Sequence, residues 1–238
     1  MKKRISTLLC LLVLAMTGIQ AKDYNVKDFG AIGNGKVLDH QAINTAIDSC
    51  VAHGGGRVVL PAGTYLCGSI RMKSHVELHL MAGSKILAAP ASMKAYDEAE
   101  FFEGTAYQDG GHTYFKNSLI YAIGANDVSI TGRGMIDGEG LTRKDTEKAG
   151  NLQGGNIGTG DKAIALKQCR NILIRDVTIY RGGHFGIIVT GCELGTIDNV
   201  VIDTNRDGLD IDCCKYLTIS NCKINTPHDD ALVLKSSY

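Results

Sequence analysis

Apolar residues in the second half of the chain recur at two periods at once. At short range they alternate with polar ones, as in Thr218-Ile219-Ser220 and Val201-Ile202-Asp203, which is the period of a strand with one buried face. At longer range, three segments beginning at Cys169, Cys192 and Cys214 match position by position. Five residues past each cysteine stands Ile174, Ile197 or Ile219; eight past it Val177, Val200 or Cys222; ten past it Ile179, Ile202 or Ile224. The cysteines are 23 and 22 residues apart, a repeat-protein spacing. A repeat of this length holding several short strands predicts an all-β right-handed parallel β-helix, each coil burying its apolar side chains against the next. Ile174, Ile197 and Ile219 should form one interior row and Ile179, Ile202 and Ile224 another. The 29 glycines and 3 prolines agree, because corners need unusual backbone angles and ladders need N–H donors.

Weaker copies of the pattern stand at Val76–Leu80 and at Asp127–Ile130, the latter running into Gly132–Gly138. Coils are therefore expected from about Arg57 onward, where Arg57–Leu60 and Pro61–Tyr65 read as a strand and a turn. Before them, Asp39 is placed to cap a helix with an apolar face of Ile43, Ala46, Ile47, Cys50 and Val51, ended by Gly54-Gly55-Gly56. Such a helix would cover the first coil and its open strand edge. Two stretches, Ala89–Lys116 and Glu139–Asp161, break the period and are polar and glycine-rich. They read as loops projecting from the coils, where solenoids place substrate contacts.

The chemistry lies in two motifs near the C-terminus, Asn205-Arg206-Asp207-Gly208-Leu209-Asp210 and His228-Asp229-Asp230-Ala231. Asp229 and Asp230 follow Asp207 by 22 and 23 residues, one repeat period. One period separates neighbouring strands about 4.8 Å apart, so three carboxylates should gather in one place. Three crowded acids do not all ionise cheaply, and a raised proton affinity on one of them is what general acid catalysis needs. Paired carboxylates, one protonated and one ionised, are the equipment for glycoside hydrolysis. His184 stands 23 residues before Asp207, in the same expected column. Asp210 and Asp212 alternate with Leu209 and Ile211 and so point away from the core, on the face of Lys167, Thr190 and Lys235. Asp210 is read as lining a cleft; Asp212 is as readily a solvated strand residue paired with a lysine. With Asn205, Arg206, His184, His228 and Lys235, Asp210 completes the set of candidate substrate contacts.

Composition narrows the setting. Met1–Ala21 carries Lys2-Lys3-Arg4, then an apolar run and a small residue at its end, as a secretory signal peptide does. Its apolar run is short for a membrane span. Removal after Ala21 leaves 22 basic and 25 acidic residues, a net charge of −3, with no basic excess to suggest nucleic acid. The expected product, residues 22–238, is one secreted or periplasmic domain, monomeric, with a polysaccharide or oligosaccharide as its partner and no cofactor. Of eight cysteines Cys10 lies in the signal segment. Among the other seven, Cys169, Cys192 and Cys214 are expected to stack as small buried side chains, with a disulfide between neighbours open as an alternative. No Cys or His spacing matches a zinc site.

At these motifs the chain resembles the polygalacturonases, pectin-degrading glycoside hydrolases of right-handed parallel β-helix fold. The likeness extends from Val26-Lys27-Asp28-Phe29-Gly30-Ala31 through Pro61-Ala62-Gly63-Thr64-Tyr65, a segment shared by many β-helical polysaccharide-acting enzymes, to the two acidic motifs. The family's Asn-Thr-Asp-Gly stands here as Asn205-Arg206-Asp207-Gly208, and its Gly-Asp-Asp as His228-Asp229-Asp230. The resemblance implies an inverting hydrolase of galacturonan or rhamnogalacturonan type, with Asp229 as general acid and Asp207 and Asp230 holding the nucleophilic water. It also shows departures: Arg206 replaces Thr, His228 replaces Gly, and the later Gly-His-Gly and Arg-Ile-Lys motifs have no counterpart before Tyr238. The sequence is thus read as the N-terminal portion of a longer enzyme. Two other classes compete: a calcium-dependent polysaccharide lyase on the same fold, and a non-catalytic β-helical carbohydrate-binding protein.

Overall fold

The computed structural model describes residues 22–101, 110–141 and 160–237; the signal segment and parts of both long loops lie outside the described residues. The described residues form three parallel sheets of seven, seven and six strands; the first coil enters two of them and each later coil visits all three in turn. Consecutive strands joined through two other sheets cannot pair antiparallel by hairpins, and the chain winds as a right-handed parallel β-helix. Ladders begin earlier than Arg57: Asp23–Asn25 pairs in parallel with Arg57–Val59. Pro61-Ala62 is a corner between two strands, Gly56–Leu60 and Gly63–Cys67.

The interior rows fall in the expected register. Ile174 opposes Ile197, which opposes Ile219; Ile179 opposes Ile202, which opposes Ile224. Ile197 and Ile202 are at most 1% exposed, as full coils on either side require. Cys169 and Cys192 are buried in their own column, where the backbone N–H of Cys169 donates to Cys192 Sγ at 3.2 Å, and all seven described cysteines are free thiols.

Helix α1, His40–Ala52, covers the first coil with Ile43, Ala46, Ile47 and Cys50 buried, but Val51 turns outward at 38% exposure. Asp39 precedes the helix without capping it. Its buried carboxylate instead accepts the N–H groups of Ile32 at 2.6 Å and Gly33 at 3.0 Å, so it is spent on tying down the preceding turn.

The six-stranded sheet carries the candidate site. Its strands stack in the order Ile70–Arg71, Ser118–Ile123, Lys162–Lys167, Phe185–Thr190, Asp207–Asp212 and Leu232–Lys235. On its outer face one column runs Tyr121, Ala165, Ile188, Asp210, Val233. The apolar start of that column is roofed by the loop before it: Phe115 packs with Tyr121, Ala165, Phe185 and Ile188 as a second, smaller core. Glu100 pins the roof by accepting the N–H groups of Phe115 and Lys116, each at 3.0 Å. Where this cover ends, acidic side chains begin.

Candidate functional site

Asp207 opens the strand Asp207–Asp212, whose inward residues Leu209 and Ile211 enter the core and whose other side chains face outward. The strand sits close to its neighbours because Gly208 has no side chain. A Cβ there would stand 2.5 Å from Ile224 Cγ2 and 2.7 Å from the Ala231 carbonyl oxygen. The ladder continues backward from Leu209 opposite Leu232, with Gly208 N–H donating to Asp230 O at 2.9 Å. This register brings Asp207 beside the Asp229-Asp230 corner. Thr226 locks the corner by donating its hydroxyl to the Asp229 carbonyl at 2.9 Å.

The three acids predicted to meet do so: one oxygen from each of Asp207, Asp229 and Asp230 lies within 4.8 Å of the others. Asp207 is 6% exposed, and burial, the charges of Asp210 and Asp229, and a hydrogen bond with Asp229 together push its carboxyl up to about 6. A proton is therefore held within the cluster on Asp207 at mildly acidic pH. The oxygens are close enough for a cation to bridge, but a positive charge is already supplied by Arg206, whose Nη1 lies 2.9 Å from Asp229 Oδ2.

Arg206 is itself held. Its Nη2 donates to His184 Nε2 at 3.1 Å, which fixes the His184 tautomer with the proton on Nδ1. The His184 ring stacks on Phe185 at 4.4 Å and is 1% exposed. The register corrects its expected column: Phe185, not His184, opposes Asp207, so His184 sits one place aside, next to Arg206. Asn205 and His228 hydrogen-bond to each other across the coils at the exposed rim, His228 Nδ1 to Asn205 Oδ1.

A second polar group lies beside the acids. Asp210 is fully buried, and Lys235 Nζ donates to its Oδ2 at 3.0 Å and to His112 Nε2 at 2.9 Å. Burial pushes the Asp210 carboxyl up, against the pull of Lys235. Asp212 is no solvated strand residue: it is fully buried and accepts the Ser237 N–H at 2.9 Å. It does face outward, in one column with Lys167, Thr190 and Lys235.

Three residues at or near this site carry no sequence signal of the kind used above. His112 comes from the roofing loop, outside any repeat, and meets Phe185 edge-on at 4.9 Å. Lys162, fully buried and paired with Asp161, stands two strands from Asp207 in the same column. Arg181 lies in a corner whose partners, Asp137 and Glu139, are more than 40 residues away.

A model of the family described as rhamnogalacturonase A/epimerase, pectate lyase-like, matches residues 24–231. Among curated proteins, plasmin and fibronectin-binding protein A of Streptococcus pneumoniae is 32% identical over 184 residues, 76% of this chain and 23% of that protein. The exo-poly-alpha-D-galacturonosidase of Dickeya chrysanthemi is 26% identical over 91% of this chain and 42% of its own length. Among solved structures, a hyperthermoactive exopolygalacturonase from Thermotoga maritima superposes with a TM-score of 0.75 at 27% identity, covering 92% of this chain and 55% of that one. The chain thus spans less than half the length of these two curated relatives. With coils, capping helix and both acidic motifs inside the matched segment, the chain belongs to the rhamnogalacturonase A/epimerase, pectate lyase-like family, on its polygalacturonase-like side.

Proposed function

We propose that the protein hydrolyses glycosidic bonds of pectic polysaccharide, of galacturonan or rhamnogalacturonan type, with inversion at the anomeric carbon, as an exported monomer needing no cofactor. The gathering of Asp207, Asp229 and Asp230 on the outer face, within 4.8 Å of one another, carries this reading. In the reaction, Asp229 gives its proton to the leaving glycosidic oxygen as the C1–O bond breaks. A water held by Asp207 and Asp230 bonds to C1 and loses its proton to Asp207. The buried wall formed by Phe185 and its roof keeps bulk water from the apolar side of the cluster. This strengthens every charge interaction within it.

Turnover of oligogalacturonate, with the anomer of the first product read by proton NMR, tests the reading. Asp229→Asn keeps size and removes the proton donor, so hydrolysis should fall by at least about 10²-fold, the usual contribution of general acid catalysis. Near wild-type turnover by a folded Asp229→Asn protein would refute the acid assignment. A first product with retained configuration would refute inversion. An ultraviolet-absorbing unsaturated product would point to a lyase instead, and absence of any turnover to a binding role.

A further inference from the structure

Next to the acids, between the corner at Arg181–Gly183 and the corner at Thr204–Arg206, lies a pocket of about 220 Å³ whose walls include Glu139, Arg181, Asn205 and Arg206. It is smaller than the roughly 300–1,000 Å³ of pockets for drug-sized ligands, and so suits one sugar ring. Arg181 is fixed in its wall. Its Nε and Nη2 fork onto Asp137 at 2.9 and 2.7 Å, Nη2 also reaches Glu139 at 3.1 Å, and its Cζ lies 4.8 Å from the Tyr180 ring centroid. Among the described residues that leaves Nη1 of Arg181 without a protein partner, on a side chain 40% exposed. Asp137 is further balanced by Lys85 at 3.6 Å, so Arg181 is not needed to neutralise it alone. Arg206, in the other wall, spans the distance from this pocket to Asp229.

We propose that this pocket seats the carboxylate of a uronic acid residue between Arg181 and Arg206, and that its binding draws Arg206 away from Asp229. The inference rests on the hydrolase reading above and names what selects the substrate. In the free site Arg206 Nη1 holds Asp229 Oδ2 at 2.9 Å, so that oxygen faces a guanidinium rather than a leaving group. A substrate carboxylate competes for the same guanidinium. Once Arg206 turns to it, Asp229 takes the proton that Asp207 holds across their hydrogen bond, and Asp207 becomes the carboxylate that receives a proton from water. After one turnover Asp229 has given its proton to the leaving oxygen and Asp207 has gained one from water. The acids are then back in their starting states, and departure of the uronate returns Arg206 to Asp229. The same release loosens a cluster held tighter than the about 6.5–9.5 Å that an inverting pair uses to admit water. A neutral sugar would leave the latch closed.

The test compares digalacturonate, its methyl ester and the corresponding galactose disaccharide on wild type, Arg181→Gln, Arg181→Lys and Arg206→Gln, with folding checked by circular dichroism. Calorimetry should show wild type binding the acid at least about tenfold more tightly than the neutral sugar. Arg181→Gln should lose most of that preference, and Arg181→Lys, which keeps the charge without the fork, should retain part of it. The ratio of kcat on acid to kcat on ester should fall at least about tenfold in Arg206→Gln. An unchanged preference in folded Arg181→Gln overturns the subsite, and an unchanged kcat ratio in Arg206→Gln overturns the latch. Wild type that prefers the acid yet never cleaves it would refute the hydrolase reading, and with it the latch, while supporting the subsite.

Discussion

Asp207 shows how one buried carboxyl records its surroundings in the pH dependence of the whole fold. Its ordinary value is 3.8, and burial beside Asp210 and Asp229 lifts it to about 6 in the folded protein. Between those two pH values the folded state keeps a proton that the unfolded state has lost. Stability from this group is therefore highest below about 4 and falls as pH rises through 6. At about 1.4 kcal/mol per pH unit, ionised Asp207 costs the fold on the order of 1–3 kcal/mol above pH 6. Asp207→Asn removes that cost while abolishing the acceptor for the water proton. Urea denaturation should find the variant more stable than wild type at pH 7.5, with the gain shrinking toward zero below pH 4. A gain of equal size at both pH values would mean that the charge is not its source. The spacing of 22 and 23 residues was enough to foresee the cluster, because a solenoid turns sequence period into proximity. Which acid holds the proton was not legible: it depends on how deeply Asp207 is buried and on its approach to Asp210 and Asp229, which no period encodes.

At the level of elements, the site depends on how near two corners approach. Gly186 and Gly208 lie one above the other: a Cβ on Gly186 would come 2.7 Å from the Gly208 carbonyl oxygen, and one on Gly208 would meet Ile224 and the Ala231 carbonyl oxygen. Neither contact can relax without separating coils, since the obstacles are backbone and an interior isoleucine. Gly208→Ala should destabilise the protein by about 1–3 kcal/mol, as overpacking does. It should also lower turnover more than the stability loss explains, by shifting Asp207 against Asp229. Unchanged thermal unfolding would show that the coils have slack here. Strands and their inward rows were legible because alternation and the cysteine register both constrain them. The roof was not: the loop that delivers His112 and Phe115 follows no repeat, and its place is set by Glu100 accepting two N–H groups and by apolar contact with the outer face. Asp39 failed as a predicted cap for a related reason, since the turn at Ile32-Gly33 offered its carboxylate two donors and the helix N-terminus went without it.

Across the whole molecule, stability in a stack is a sum over neighbours, and each coil is worth what lies on both sides of it. Inside the stack, Ile197 and Ile202 are at most 1% exposed, each between two interior isoleucines of the same row. In the following coil Leu217, Ile219, Cys222 and Ile224 are only partly buried, and Tyr216 and Leu234 are 76% and 75% exposed. That coil also carries the Asp229-Asp230 corner, two of the three acids, while Asp207 and Arg206 lie on the coil beneath. Hydrogen exchange should find the amides of the strand Lys215–Ser220 slowed more by a uronate ligand than those of Glu193–Asp198, because the ligand bridges Arg206 to the Asp229 corner and so ties the first strand's coil to its neighbour. Equal slowing of the two strands would show that the ligand acts on both coils as one unit and not through the Asp229 corner.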